Sequence, residues 1–225
     1  MTDQPRILYD RGTKRPILMS PGRLHRPRNT GETDDGVTGC PFCEGHETRT
    51  TEEVDAIRQP DTQANTPGWT ARAFPNLYPA ALFHEVIAEG CRHTAHPTEL
   101  NSEELRDCLQ LYRRRIAAAE AQPGIECAFL FKNVGAQAGS SIEHNHSQLL
   151  GLPVLPPRLA SEQQANLDGG NCLHCEEIEA AEREGRVIAQ TSQHILLSPS
   201  TPKLPYEAWL LPLAHSDDFQ TDTQD

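Results

Sequence analysis

His144-Asn145-His146-Ser147-Gln148, set behind the small-residue run Gly135-Ala136-Gln137-Ala138-Gly139-Ser140-Ser141, decides how this chain reads. The two imidazoles, two residues apart on extended backbone, are expected to project to opposite sides, one toward a metal and the other toward a substrate. Gln148 falls on the same strand face as His146. A neutral imidazole attacks phosphorus through its nitrogen lone pair, and the resulting phosphoramidate is a good donor in a second step. The Gln148 amide could then donate to a phosphoryl oxygen. The plainer reading makes His146 a hydrogen-bonded strand histidine and Ser140 and Ser141 ordinary loop serines. The functional one has their hydroxyls and the neighbouring amides line a phosphate pocket.

Upstream, Cys40-Pro41-Phe42-Cys43 offers two thiolates at metal-binding spacing, and tetrahedral zinc would need two more ligands. His144 is one candidate, and His46, His93 and His96 are others. A buried cysteine pair without metal is the bland alternative, and a redox dithiol lacks an obvious strand-to-helix setting. The chain has seven cysteines, an odd number, with Cys172 and Cys175 forming a second such pair. That pattern favours metal sites in a reducing, cytoplasmic compartment over a disulfide framework.

Length and charge set the bounds. The 225 residues can bury a real core, and a formal charge of -12 with 36% hydrophobic residues argues against nucleic acid or an anionic membrane as partner. No apolar run reaches transmembrane length, and the N-terminus lacks a signal-peptide pattern. The acidity is uneven: Arg6, Arg11, Lys14, Arg15, Arg23, Arg26 and Arg28 face only Asp10 in the first stretch. A small polyanion such as a nucleotide could be gripped there.

Residues 27–39 and 59–70 read as loops. Residues 81–89 and 125–132 read as strands, the second buried on both faces. Between them Asn101 and Glu104 form a capping box, and Leu105, Cys108, Leu109, Tyr112 and Ile116 mark a helix over 102–121 that ends before Pro123-Gly124. The apolar stretch 149–155 is stopped by Pro156-Pro157. A helix over 172–184 follows, then strands near 187–189, 194–197 and 208–211. The pattern is α+β with antiparallel hairpins, and neither GxGxxG nor GxxxxGK[ST] is present.

The segment from Phe131 to Gln148 resembles the active-site signature of the galactose-1-phosphate uridylyltransferase family, in the histidine-triad superfamily. Ser20-Pro21-Gly22-Arg23 with Arg26-Pro27, Cys40-Pro41-Phe42-Cys43, the run Arg72 to Pro79, and the run Pro205 to Pro212 with His215 match in family order. The resemblance implies a histidine-triad-like domain of antiparallel sheet and packed helices over residues 1–165. A linker helix and the beginning of a second, similar but incomplete half would occupy 166–225. It also implies that His146 becomes nucleotidylylated and Gln148 contacts the transferred group. Cys40, Cys43, His93 and His144 match a structural Zn2+ site. Arg23 and Arg26 match arginines that address the diphosphate, Phe74 and Asn76 the nucleoside wall, and Asn133, Gly139, Ser140 and Ser141 the phosphate loop. Cys172, Cys175 and His215 match three ligands of a second site found in some relatives, with His174, His194 or water considered as the fourth.

The implied reaction moves UMP between UDP-glucose and a hexose 1-phosphate such as galactose 1-phosphate, by a ping-pong route. The alternatives are an ADP-glucose phosphorylase-type reaction with inorganic phosphate as acceptor, a hydrolase, and a zinc-stabilised binding protein without turnover. Partners would be a nucleotide sugar and a sugar 1-phosphate, and a homodimer is implied by the family. The chain departs from the family at Asn145, where a proline is usual, and at Glu143. If residues 1–225 are the whole protein, the absent second half leads to an expectation of weak activity.

Overall fold

A computed structural model describes residues 4–25, 39–216 and 218–221. The basic position Arg26 and most of the 27–39 loop lie outside these described residues. The chain divides into two compact units, Met1–Leu155 and Pro156–Asp225, so the division falls before the boundary expected at residue 165.

In the first unit a hairpin pairs β1 (Arg6–Tyr9) with β2 (Pro16–Met19). Neither strand stands out in the sequence. Asp10 organises their turn, its Oδ1 accepting from the backbone of Gly12 and Thr13 at 3.0 and 2.6 Å.

The main sheet contains β3 (Asp55–Arg58), β4 (Trp69–Pro75), β5 (Phe83–Glu89), β6 (Cys127–Phe131) and β7 (His146–Leu152). Its order is β3-β4-β5-β7-β6, antiparallel throughout. The expected loop over 59–70 therefore gives way to strand at Trp69. The strand expected over 125–132 is a sheet edge rather than a segment buried on both faces, and Phe129 remains 38% exposed. Gly151 is needed where it stands: a Cβ there would overlap Ile125 Cδ1 and lie 2.8 Å from Phe83 Cβ.

Helix α1 (Ser102–Glu120) covers one sheet face. The expected capping box is present, with Asn101 accepting from the Glu103 and Glu104 amides and Glu104 accepting from the Asn101 amide. The buried stripe is Cys108, Leu111, Tyr112, Ile116 and Ala119, whereas Leu105 and Leu109 are exposed. The sequence reading thus had the helix right but its inward face turned by part of a turn. Counted from Cys108, Leu111 at i+3 widens the Cys108, Tyr112, Ile116 row on the side away from Leu105 and Leu109, and Ala119 at i+11 extends it.

Strand parity separates the two sheet faces. Ala71, Ala73 and Ile87 pack with Cys108, Leu111 and Tyr112 on the helix side. Phe74, Val86 and Ala88 pack with Cys40, Phe42 and Cys43 on the other. Ala88 pairs with His146 and Val86 with Gln148, which places both site residues opposite the helix.

The second unit holds α2 (Pro157–Gly169), α3 (Leu173–Glu184) and the antiparallel sheet β10-β9-β8, with β8 (Val187–Gln190), β9 (His194–Leu197) and β10 (Trp209–Pro212). Pro156-Pro157 does end the preceding apolar stretch, but Pro157 also opens α2, which the sequence reading missed. Proline at a first helical position costs no hydrogen bond. Ala181, Ile195 and Leu197 form the small core of this unit.

Candidate active site and metal centre

The Cys40-Cys43 turn, the His93 loop after β5 and His144 just before β7 converge on one point. Cys43 Sγ lies 3.5 Å from both His93 Nδ1 and His144 Nδ1, and Cys40 Sγ lies 3.6 Å from His144 Nδ1. All four ligand atoms fall within 4.8 Å of one another. Tetrahedral zinc with bonds of about 2.3 Å to sulfur and 2.0–2.1 Å to nitrogen has S···N edges of about 3.5 Å, so the donor set fits that ion.

His144 is fully buried and its Nε2 meets the Gly90 carbonyl at 3.0 Å, which leaves the Nδ1 lone pair directed at the sulfurs. Burial also lowers its pKa to about 4, keeping the ring neutral. Burial, with Cys40 beside it, pushes the Cys43 thiol up to about 12, a cost that a bound cation would reverse. His46 and His96 do not join the set: His46 Nδ1 bonds the Cys40 carbonyl at 2.7 Å, and His96 precedes the short helical turn Pro97–Glu99.

His146 is turned differently. Its Nδ1 contacts the His144 carbonyl at 2.7 Å, an acceptor that assigns the proton to Nδ1 and the lone pair to Nε2. Such a neutral imidazole can act as a nucleophile. The two imidazoles do not project to opposite sides, as their separate roles had suggested. Both rings flank Phe42, with centroids 6.2 Å (His144) and 5.2 Å (His146) from it, as residues two apart on extended chain must share a side. Their roles separate through which nitrogen each backbone carbonyl engages.

His146 and Gln148 line a cavity of about 270 Å³ together with Phe74, Asn76 and Ser141. Arg23, Asn133, Gly139 and Ser140 do not line it. The Arg23 guanidinium donates to the Tyr78 carbonyl at 2.8 Å, and Ser140 Oγ to the Ile142 carbonyl at 2.7 Å. Gly139 takes a φ of +87°, which glycine adopts without strain, at the end of the short turn Ala136–Ala138.

Sequence reasoning missed the walls supplied by Phe42, Arg49, Thr50 and Thr51. Phe42 meets Phe74 edge-on at 5.3 Å. Arg72, 1% exposed, holds the wall from behind: it donates to Thr50 Oγ1 at 2.9 Å and Glu53 at 3.0 Å and lies 4.8 Å over the Phe74 ring. Arg72 opens the matched run Arg72 to Pro79, but nothing in that run shows that its side chain is buried between Phe74 and a threonine pair.

In the second unit Cys172, Cys175 and His215 cluster, with Cys175 Sγ 3.3 Å from His215 Nδ1. Cys172 caps α3 and Cys175 lies in its first turn. His174 and His194 are outside this set, and the His174 ring instead meets Trp209 at 5.9 Å.

No protein-family model matches the chain. The chain is 30% identical to ADP-glucose phosphorylase of Arabidopsis thaliana, over 96% of this chain and 68% of that protein. It is 23% identical to galactose-1-phosphate uridylyltransferase of Thermotoga maritima, over 93% and 67% respectively. The crystal structure of the Arabidopsis thaliana phosphorylase with bound ADP-glucose aligns with a TM-score of 0.70 at 31% identity, covering 96% of this chain and 71% of that one. A uridylyltransferase structure aligns at 0.75 with 26% identity, covering 96% and 69%. The chain belongs to the family that includes ADP-glucose phosphorylase and is related to the galactose-1-phosphate uridylyltransferases. It is an enzyme of the nucleotidyltransferase class, related to sugar-phosphate metabolism.

Proposed function

We propose that the chain carries out an ADP-glucose phosphorylase-type reaction. The observation that carries this choice over the uridylyl reading is the 30% identity to ADP-glucose phosphorylase, against 23% to a uridylyltransferase over a similar span. In this reading His146 Nε2 attacks the α-phosphorus of ADP-glucose, the phosphoanhydride bond breaks, and glucose 1-phosphate leaves with its electron pair. Inorganic phosphate then attacks the same phosphorus, the P–N bond breaks to restore the His146 lone pair, and ADP leaves.

Gln148 donates to the transferred phosphoryl group, Phe74 and Asn76 hold the nucleoside, and Arg23 with Arg26 address the diphosphate. Asn133, Gly139, Ser140 and Ser141 shape the phosphate loop. Zinc held by Cys40, Cys43, His93 and His144 would supply structural cross-linking with His146 outside its ligand set. A second ion at Cys172, Cys175 and His215 belongs to the same proposal.

UMP transfer from UDP-glucose to galactose 1-phosphate is the second reading, supported by the TM-score of 0.75 to a uridylyltransferase. Turnover of each nucleotide sugar with each acceptor separates the two. The expected result is ADP and glucose 1-phosphate from ADP-glucose plus inorganic phosphate, abolished in His146→Ala. Faster exchange with UDP-glucose and galactose 1-phosphate would install the second reading. Binding without turnover of either would leave a zinc-stabilised binding protein.

A further inference from the structure

His84 is a buried histidine, 5% exposed, that no motif in the sequence singles out. It lies on β5 on the site face, two residues along from Val86, which sits opposite Gln148. The Ala80 backbone N–H donates to His84 Nδ1 at 2.9 Å. A backbone donor cannot be turned away by a rotamer change, so Nδ1 is the acceptor nitrogen and the neutral ring carries its hydrogen on Nε2. That nitrogen lies 3.1 Å from Gln148 Oε1. Asn76 Nδ2 is 3.2 Å from the same nitrogen, but Asn76 Oδ1 already accepts the Tyr78 N–H at 2.9 Å, so Asn76 presents N–H groups there and no acceptor. Gln148 Oε1 is therefore the oxygen that His84 Nε2–H engages.

We propose that His84 is a positioning residue for nucleotidyl transfer: by holding the Gln148 carbonyl oxygen, it turns the Gln148 NH2 group toward the phosphoryl group on His146. An amide side chain has two orientations, and phosphoryl oxygens accept hydrogen bonds but cannot donate them. With Gln148 flipped, its NH2 would face the His84 N–H and its oxygen would face the phosphoryl oxygens, unfavourable at both ends. His84 removes that alternative before substrate arrives, which is preorganisation supplied by a residue that need not touch the substrate.

This inference rests on the nucleotidyl-transfer reading, and its test is chosen to be separable from it. His84→Asn keeps an acceptor for Ala80 N–H but cannot reach Gln148. His84→Gln extends far enough to place an NH2 group near the Gln148 oxygen. The rate of His146 nucleotidylation is expected to fall roughly 10- to 100-fold in His84→Asn, with partial recovery in His84→Gln. In a Gln148→Ala background, His84→Asn should then cost little more, because its effect runs through Gln148.

The 15N NMR spectrum of the full chain reads the same claim without substrate. The Nε2-protonated His84 tautomer is expected, together with a Gln148 side-chain amide signal that shifts in His84→Asn. An Nδ1-protonated ring, an unmoved Gln148 amide, or independent and additive kinetic losses would each overturn the proposal. Loss of all turnover in the unsubstituted chain would count against the proposed function, and the NMR result would still decide the role of His84.

Discussion

The two Cys/His clusters offer the same donor chemistry, four donors in one and three in the other among the described residues. Cys40, Cys43 and His144 are buried, with His93 half-buried, and the four donors are spread over three separated stretches of the first unit. Cys172, Cys175 and His215 are the three donors that cluster among the described residues, at partly exposed positions, His215 the most open. A closed set drawn from distant stretches acts as a cross-link, and its binding energy is folding energy. A three-donor set near the surface gives an ion fewer bonds and more water. The comparison teaches that a CxxC pair alone says little, and that where the histidines come from decides what the metal would do.

The largest expected effect breaks the first cluster. His144→Ala removes the donor next to β7 and should release the ion and lower stability by on the order of 5 kcal/mol or more. His215→Ala should lower metal content at the second cluster and leave the unfolding of the first unit nearly unchanged. Metal analysis with a chelator titration, followed by thermal unfolding, checks both. Equal losses from the two substitutions would dissolve the distinction.

A smaller effect sharpens the contrast between the units through their two indole-to-carboxylate bonds. The Trp69 indole donates to Glu47 at 2.7 Å and the Trp209 indole to Glu207 at 2.9 Å. Burial raises the Glu47 pKa, but the Trp69 bond and the Gly45 amide outweigh it, and the net shift is downward. Glu207 is also lowered, first by its Trp209 bond, but it is only half-buried where Glu47 is buried. A carboxylate with a lowered folded-state pKa contributes stability above its unfolded value, and that contribution is lost as pH falls through the folded one. Glu47→Gln should therefore cost about 1 kcal/mol near neutral pH and flatten the loss of stability at acid pH, below about 4.5. Glu207→Gln should change little. Urea unfolding followed as a function of pH measures both, and a larger effect from Glu207 would contradict the burial argument.

Much of the site was legible because its residues are rare and closely spaced. The CxxC pairs and the His144 to Gln148 run announce themselves, and the Asn101/Glu104 box fixed α1 almost to the residue. The choice among His46, His93 and His96 was open on spacing alone and fell to His93 through the resemblance; in three dimensions the His46 ring turns to the Cys40 carbonyl and His93 to Cys43. What escaped was encoded by ordinary residues. Leu111 and Ala119 set the buried face of α1, Pro157 started a helix where proline reads as a stop, and Arg72 and His84 act through partners far away in sequence. The mistaken projection of His144 and His146 arose from assigning two roles to two sides, when the backbone carbonyls of Gly90 and His144 do that work by tautomer.

The central claim is that His146, beside a metal site but outside it, takes up the nucleotidyl group. The most direct measurement is mass spectrometry of the full chain after brief exposure to ADP-glucose without phosphate, with peptide mapping and a parallel assay of glucose 1-phosphate. The account predicts one adenylyl group per chain on His146, glucose 1-phosphate released in equal amount, and no adduct in His146→Ala despite undiminished zinc at Cys40, Cys43, His93 and His144. Glucose 1-phosphate formed with no adduct, or an adduct that persists in His146→Ala, would contradict it.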